Sequence, residues 1–532
     1  MSSSDTLHTA LLEIAQRYPG PGGAVAILRE GEIIARHSWG YASLERRIPF
    51  TPSSLFRICS ITKQFTCAVM LDRYRDPEKL APFVRQALPH LATQHPTIHH
   101  LAHNQSGLRD YWAVAMLHGA AIEGQFNEGD ARRVMAGTRS LQFEPGTSYS
   151  YVNQNFRLLS NAMEAESGES FAALLKHHIF TPARMHTALL APETRALPDG
   201  TTGYEGTTES GFRPAVNRIY WTGDAGMAAS LDDMIAWERS IDATRNDPNS
   251  LYQRLSAPVT FRDGTPTSYG FGLQHSRLAG YEVTGHGGAL RGWRSHRLYC
   301  PEKRLSVVVL FNHMSAAQAA ASDLFHHALG LTAPRSTPSN TAPAIAHDFN
   351  GVWLDEETGL SARIENANAS TLRLRYLMVP EEIPLLTATN AGNGGVQLER
   401  TAEGIVMTRP AENRHCLLTP HSTAPTPERH KIVGQYRCGE LDNSELTITE
   451  QGGLLYGGFS GLLGEGRMER LTEIGEDLWT FPCPRALDHT APGDWTLNIE
   501  RTQGSVRQVR VGCWLARNLV YERLSPRPSG DV

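Results

Sequence analysis

Arg57-Ile58-Cys59-Ser60-Ile61-Thr62-Lys63-Gln64-Phe65-Thr66 sets a serine three residues before a lysine at the head of an apolar run. The run continues through Ala68, Val69, Met70 and Leu71, which predicts a buried helix starting near Ser60. Residues three apart share a helix face, so the Lys63 amine can reach the Ser60 hydroxyl. That hydroxyl becomes a good nucleophile only when an adjacent base takes its proton. A lysine in the first turn of a buried helix needs a partner or a depressed pKa. The chain has five lysines, Lys63, Lys79, Lys176, Lys303 and Lys431, and only Lys63 follows a serine at this spacing. A solvated lysine on an amphipathic helix would show the same spacing, so the pair needs support from elsewhere in the chain.

Two segments supply it. In Glu144-Pro145-Gly146-Thr147-Ser148-Tyr149-Ser150-Tyr151-Val152-Asn153 a turn would present Tyr151 and Asn153 on one side of a loop. The phenol can exchange a proton near a lysine, and the amide can hold both Lys63 and a substrate carbonyl. In Thr284-Gly285-His286-Gly287-Gly288-Ala289 an apolar strand runs into glycines, which let a substrate backbone approach closely. The N–H groups of Ser60 and Ala289 would then bind the oxyanion of a tetrahedral intermediate. Gly288 and Asn153 are the expected substrate contacts, and His286 would steady Tyr151 and the leaving group. Taken singly, each segment reads equally well as an ordinary turn. A third segment, Leu101 to Tyr111, reads as a helix end packed beneath the site, with no catalytic part.

At 532 residues the chain is too long for one core and should hold two to four domains. The formal net charge is −5, with neither a basic stripe nor a polybasic tail, which argues against a nucleic-acid partner. No apolar run is long enough to cross a bilayer as a helix. Met1-Ser2-Ser3-Ser4-Asp5-Thr6 lacks the cationic start and apolar core of a secretory leader, so the sequence predicts a cytoplasmic protein. Seven scattered cysteines, with no C-x-x-C, suggest neither a zinc site nor a disulfide framework. Cys59 and Cys67, close to the nucleophile, would make activity sensitive to bulky thiol reagents. The chemistry calls for no metal and no cofactor.

The first segment opens with a helix, Leu7 to Tyr18, and a hairpin of Ala24–Leu28 with Ile33–Ala35. Helices dominate from Ser60 to about Leu190. Strands return at Tyr269–Leu273, Tyr281–Thr284 and Leu305–Phe311, before a helix at Ala316–Leu329. Strands at both ends with helices between them predict one sheet built from both termini. Residues 333–346, rich in Pro, Ser and Thr, read as a linker, and 420–427 as a second break. Short alternating strands follow each break. Gly351-Val352-Trp353 and Gly434-Gln435-Tyr436 open them in similar fashion, suggesting two related antiparallel barrels.

The serine–lysine helix start, the Y-x-N loop and the glycine-rich strand, in that order, resemble the serine β-lactamase and penicillin-binding-protein group. Gly223-Asp224-Ala225-Gly226 and Ser230-Leu231-Asp232-Asp233-Met234 add to the likeness. Over nearly its whole length the chain resembles the bacterial D-aminopeptidases of that group, through Asn104–Trp112, Gly285–Arg294 and Val511–Arg517. The common K-T-G of the group is His286-Gly287-Gly288 here, which removes a lysine that would meet a substrate carboxylate.

The resemblance implies an α+β β-lactamase-like catalytic domain (residues 1–332; antiparallel sheet, flanking helices and a helical region) and two antiparallel β-barrel domains (346–419 and 430–527). It also implies release of N-terminal D-residues, D-alanine foremost, from small peptides, amides and esters, through an acyl-enzyme on Ser60. A homodimer is implied as well. A loop of the second barrel, residues 484–494, would reach the active site, and the resemblance singles out Asp488 there. A carboxylate suits a free α-ammonium. An esterase or D-alanyl-D-alanine carboxypeptidase of the same group, or a β-lactam-binding sensor without turnover, would use the same core residues.

Overall fold

The computed structural model describes residues 3–331, 349–483 and 493–525. The expected linker at 333–346 and Asp488 lie outside the described residues.

The strand Gly22–Arg29 explains how the first domain is layered. It is apolar without alternation because both of its faces are covered. Ala24, Ala26 and Leu28 face a large core shared with the helical region. Val25 and Ile27 face a second core made with Leu7, Leu11 and Ile14 of the helix Ser3–Arg17 and with Ala320 and Leu324 of the helix Ala317–Ala328. The partner strand Leu305–Phe311 divides likewise, with Val308 and Leu310 on one side and Val307, Val309 and Phe311 on the other. The two strands run antiparallel, Val25 opposite Val309.

These are central members of an eight-stranded antiparallel sheet. Its order is Ile48–Pro49, Glu32–Ser43, Gly22–Arg29, Leu305–Phe311, Trp293–Cys300, Tyr281–Leu290, Leu273–Leu278, Tyr269–Gly270. Both termini of the domain thus build one sheet, as the sequence predicts. The strand Trp293–Cys300 does not stand out in the sequence. Its Arg297 is fully buried, and Glu238 makes that possible by accepting two hydrogen bonds of 2.7 Å from the guanidinium.

Across the sheet lies the helical region, centred on the helix Thr62–Arg73, which is buried on every side from Thr62 to Met70. Phe65 packs on Trp237 with ring centroids 4.8 Å apart.

The rest of the chain forms two antiparallel barrels. In the first, the strand Gly351–Asp355 sits between Leu360–Asn368 and Arg414–Pro420, and a bridge from Leu385 to Ala391 joins the sheet's two ends. In the second, Gly434–Cys438 sits between Ser444–Gln451 and Ala516–Arg523. Its ring closes because Glu469–Arg470 pairs with Leu454–Gly461 and runs straight on to Thr472–Gly475 at the other end. In each barrel the first strand pairs with the second and with the last, so the likeness between Gly351-Val352-Trp353 and Gly434-Gln435-Tyr436 extends to topology. No helix among the described residues is long and apolar enough to cross a membrane.

Candidate active site

Ser60 stands on a sharp turn between a strand and a helix. The strand Phe56–Arg57 ends, Cys59 takes a left-handed conformation (φ 51°), and a single 3₁₀ turn, Cys59–Ile61, leads into Thr62–Arg73. Positive φ on a residue other than glycine costs of order 1–3 kcal/mol and persists where surrounding contacts enforce it. Two of these are visible: the Cys59 thiol donates to the Arg57 carbonyl, and Ser295 Oγ donates to the Ile58 carbonyl at 3.1 Å. Ser60 is half-buried, while the side chains on either side are wholly buried.

Lys63 is fully buried, and its Nζ meets three oxygen atoms: Ser60 Oγ at 3.0 Å, Asn153 Oδ1 at 2.9 Å and the Asp224 carbonyl at 2.8 Å. This set fits both protonation states. An ammonium donates to all three. A neutral amine donates to Asn153 and Asp224, which only accept here, and turns its lone pair to the serine O–H. The site therefore allows a proton to move between Ser60 and Lys63 with little rearrangement.

Tyr151 borders the cavity beside Ser60, and its ring lies 4.9 Å from Lys63 Nζ. Burial drives the phenol pKa well above its ordinary value, opposed by the influence of the Ser60 side chain, so the resting group is a neutral phenol. His286 departs from expectation. Its Nδ1–H donates to the Gly287 carbonyl at 2.5 Å, so Nε2 is free to accept, and it takes the Tyr269 hydroxyl at 3.0 Å. Tyr151 is its neighbour by ring contact at 6.0 Å rather than by a hydrogen bond. Burial first, then the Lys63 charge, push the imidazole pKa down to about 3, so it is neutral near pH 7.

His286 belongs to the strand Tyr281–Leu290, which pairs with Trp293–Cys300 along one edge. On the other edge pairing with Leu273–Leu278 stops at Gly285. Beyond that point Gly287 and Ala289 border the cavity at Ser60. Gly288 has a different task from the expected substrate contact. A Cβ there would fall 2.1 Å from the Ile58 carbonyl oxygen and 2.2 Å from Ser295 Oγ. Glycine at 288 therefore lets the strand press against the turn that carries the nucleophile.

The cavity, of about 350 Å³, is lined by Ser60, Tyr151, Asn153, His286 and Ala289 together with residues the sequence did not mark. Asp110, read as merely structural, is one of them. Its Oδ1 accepts both the Asn153 N–H (2.6 Å) and the Asn153 side-chain amide (3.1 Å), while Oδ2 accepts the Trp112 N–H at 3.2 Å. Burial raises its pKa to about 6 against the opposing pull of those bonds and of Lys63. Its spacing, at the head of the helix Tyr111–Leu117, signals an N-cap and gives no hint of Asn153. The barrels close the far wall with Leu377, Met378 and Glu412 from the first and Trp514 and Leu515 from the second. The Arg517 guanidinium lies 3.6 Å from the Trp514 ring centroid. Alternating strand patterns carry no trace of such a wall. Cys59 and Cys67 have no exposed surface, and burial pushes the Cys67 thiol far up, so neither invites a bulky reagent.

A serine–lysine–tyrosine cluster between an antiparallel sheet and a helical region defines a β-lactamase-fold serine hydrolase, and residues 11–332 match the β-lactamase family. The octameric penicillin-binding protein homologue from Pyrococcus abyssi shares the fold, with a TM-score of 0.52 at 20% identity over 78% of this chain and 99% of that one. Residues 342–522 match the family described as D-aminopeptidase, domain B. The chain is 60% identical over 529 residues to the D-aminopeptidase of Gluconobacter oxydans (strain 621H), covering 98% of this chain and 99% of the relative. To that of Brucella melitensis biotype 2 (strain ATCC 23457) it is 44% identical over 520 residues, with the same coverage. The chain belongs to the D-aminopeptidase family.

Proposed function

We propose that this chain is a D-stereospecific aminopeptidase that releases N-terminal D-residues, D-alanine foremost, from small peptides, amides and esters. The observation that carries the reading is the contact of Ser60 Oγ with Lys63 Nζ in a cavity walled by both barrels, in a chain so similar to named D-aminopeptidases. In the mechanism we infer, Ser60 Oγ bonds to the substrate carbonyl carbon while its proton passes to Lys63. The carbonyl π electrons move to the oxygen, which the N–H groups of Ser60 and Ala289 receive. Asn153 keeps one side-chain N–H for the substrate, the other being held by Asp110. The tetrahedral intermediate collapses, the C–N bond breaks, and the leaving amine takes a proton through Tyr151, which borders the same cavity as Ser60. Water then adds to the acyl-enzyme by the same route and restores Ser60. Neutral His286, fixed by Tyr269, flanks the leaving group as a polar wall. Asp488 is assigned to the α-ammonium on the strength of the family resemblance.

Assays of D-alanine and L-alanine p-nitroanilides, and of the N-acetylated D-substrate, test this. Turnover of the free D-substrate alone is expected, and none by Ser60→Ala. Equal turnover of both enantiomers rejects the stereochemistry. Retained turnover of the acetylated substrate favours an esterase or carboxypeptidase. A long-lived penicillin adduct on Ser60 without turnover favours a sensor. The homodimer implied by the resemblance and the cytoplasmic setting belong to the same proposal, tested by sedimentation of the purified chain and fractionation of its source cells.

A further inference from the structure

Two carboxyl groups, Asp110 and Glu412, border the cavity at Ser60, and no lysine or arginine does so among the described residues. Their situations differ. Both oxygens of Asp110 are taken by N–H donors within the catalytic domain. Glu412 comes from the first barrel, at the end of a short 3₁₀ turn, Pro410–Glu412. It is 9% exposed, and its backbone carbonyl accepts Ser148 Oγ at 2.6 Å and the Tyr149 N–H at 3.2 Å. Those bonds pin it to the loop that carries Tyr151 and Asn153. Its carboxylate oxygen Oε2 is buried without a hydrogen-bond donor.

The nearest cation is shared with a second carboxylate. Arg409 Nε lies 3.3 Å from Glu412 Oε2, without the alignment of a hydrogen bond. The fork of the same guanidinium is spent on Glu381, to which Nη1 and Nη2 donate at 2.9 and 3.0 Å. One arginine thus serves two carboxylates, the partly exposed Glu381 and, less directly, Glu412 at the cavity wall. A buried carboxylate with an unfilled acceptor is costly unless a donor arrives. A substrate ammonium is such a donor, with three N–H groups and a full positive charge.

We propose that Glu412 is a specificity-determining residue which, resting on the aminopeptidase reading, binds the α-ammonium of the substrate from the first barrel, beside the Asp488 that the family resemblance assigns to the same group. The catalytic domain then supplies the chemistry, and the first barrel adds to the selection for a free amine.

The test compares p-nitrophenyl esters of D-alanine and D-lactic acid, which differ only in ammonium against hydroxyl. Wild-type preference for the D-alanyl ester checks the aminopeptidase reading by itself. Glu412→Gln is expected to lower kcat/KM for the D-alanyl ester at least about tenfold, mainly through KM, and to leave the D-lactyl ester within about twofold. Glu412→Asp should restore part of the preference, and an unchanged thermal midpoint of both variants should accompany the result. A wild-type preference that survives intact in Glu412→Gln, or an equal fall for both esters, overturns the assignment while leaving the aminopeptidase reading in place.

Discussion

The carbonyl of Leu515, in the second barrel, accepts the backbone N–H of Asp110 at 2.9 Å. Asp110 in turn holds Asn153 by two hydrogen bonds, and Asn153 Oδ1 accepts from Lys63. Leu515, Asp110, Asn153 and Lys63 thus form one run of direct hydrogen bonds from a barrel to the proposed base. A small displacement of the second barrel would reach the nucleophile through this route, because Asn153 is fixed from behind as well as in front.

Lys63→Met keeps the apolar stem and removes the amine. Its kcat on D-alanine p-nitroanilide should fall by about 10²–10⁴, the range for loss of a positioned acid–base group. Tyr151→Phe should fall by less, because the phenol is neutral at rest and relays the proton rather than storing it. Steady-state rates of both variants check this, and a larger fall for Tyr151→Phe would move the base to the phenol.

Acid should unfold the protein steeply. Burial pushes His103, His286 and His313 down to about 3 and His118 and His296 down to about 4, against 6.5 for the ordinary group. Each depressed imidazole contributes stability that is complete above pH 6.5 and is lost as pH falls towards its folded value. Asp110, raised to about 6, acts in the opposite sense, favouring the fold below about pH 4 and losing that contribution as pH rises through 6. Each group changes stability by roughly 1.4 kcal/mol per pH unit at its steepest, so the net of about four protons approaches 5–6 kcal/mol per unit near pH 5. Thermal midpoints measured from pH 7.5 to 5 should drop sharply below 6.5, and a level profile would contradict the burial of these rings.

Gly288→Ala places a methyl group against the Ile58 carbonyl and Ser295 Oγ. Overpacking of this kind costs about 1–3 kcal/mol. The turn holding Ser60 is the part that must yield, so kcat should fall at least tenfold by rough expectation, since misplacement by about 1 Å can cost far more. Denaturant midpoints and kcat on the same preparation separate the two effects.

Six of the seven cysteines are buried, and Cys416 is partly exposed. Ellman's reagent should therefore titrate one thiol rapidly in the native protein and all seven in denaturant, with activity retained after the first. Rapid loss of activity with a second equivalent would mean that Cys59 or Cys67 opens to solvent.

Local chemistry was the legible part of the sequence. A helix start with serine and lysine on one face, a hairpin of continuous apolar strands and short alternating strands after proline-rich breaks all follow from periodicity and turn residues. The strand Trp293–Cys300 escaped notice because Arg297 looks solvated until Glu238 is seen beside it. Asp110 looked like a plain helix cap, since only the fold brings Asn153 to it from 43 positions away. Glu412 and Trp514 were out of reach for the same reason: no spacing rule links a barrel strand to a cavity in another domain. His286 lines the cavity, and its hydrogen-bond partner there is Tyr269, whose ring approaches through a turn that short-range patterns do not describe.

The division of the cavity wall has an evolutionary side. Catalytic groups descend on one stretch of chain, while Leu377, Met378, Trp514 and Leu515 descend on another. Drift or recombination in the barrels can retune what enters while sparing the bond-breaking step, provided the Leu515 carbonyl keeps its place against Asp110. Chimeras that keep residues 3–331 and borrow the barrels of a relative offer a direct way to graft a new diet onto an old reaction.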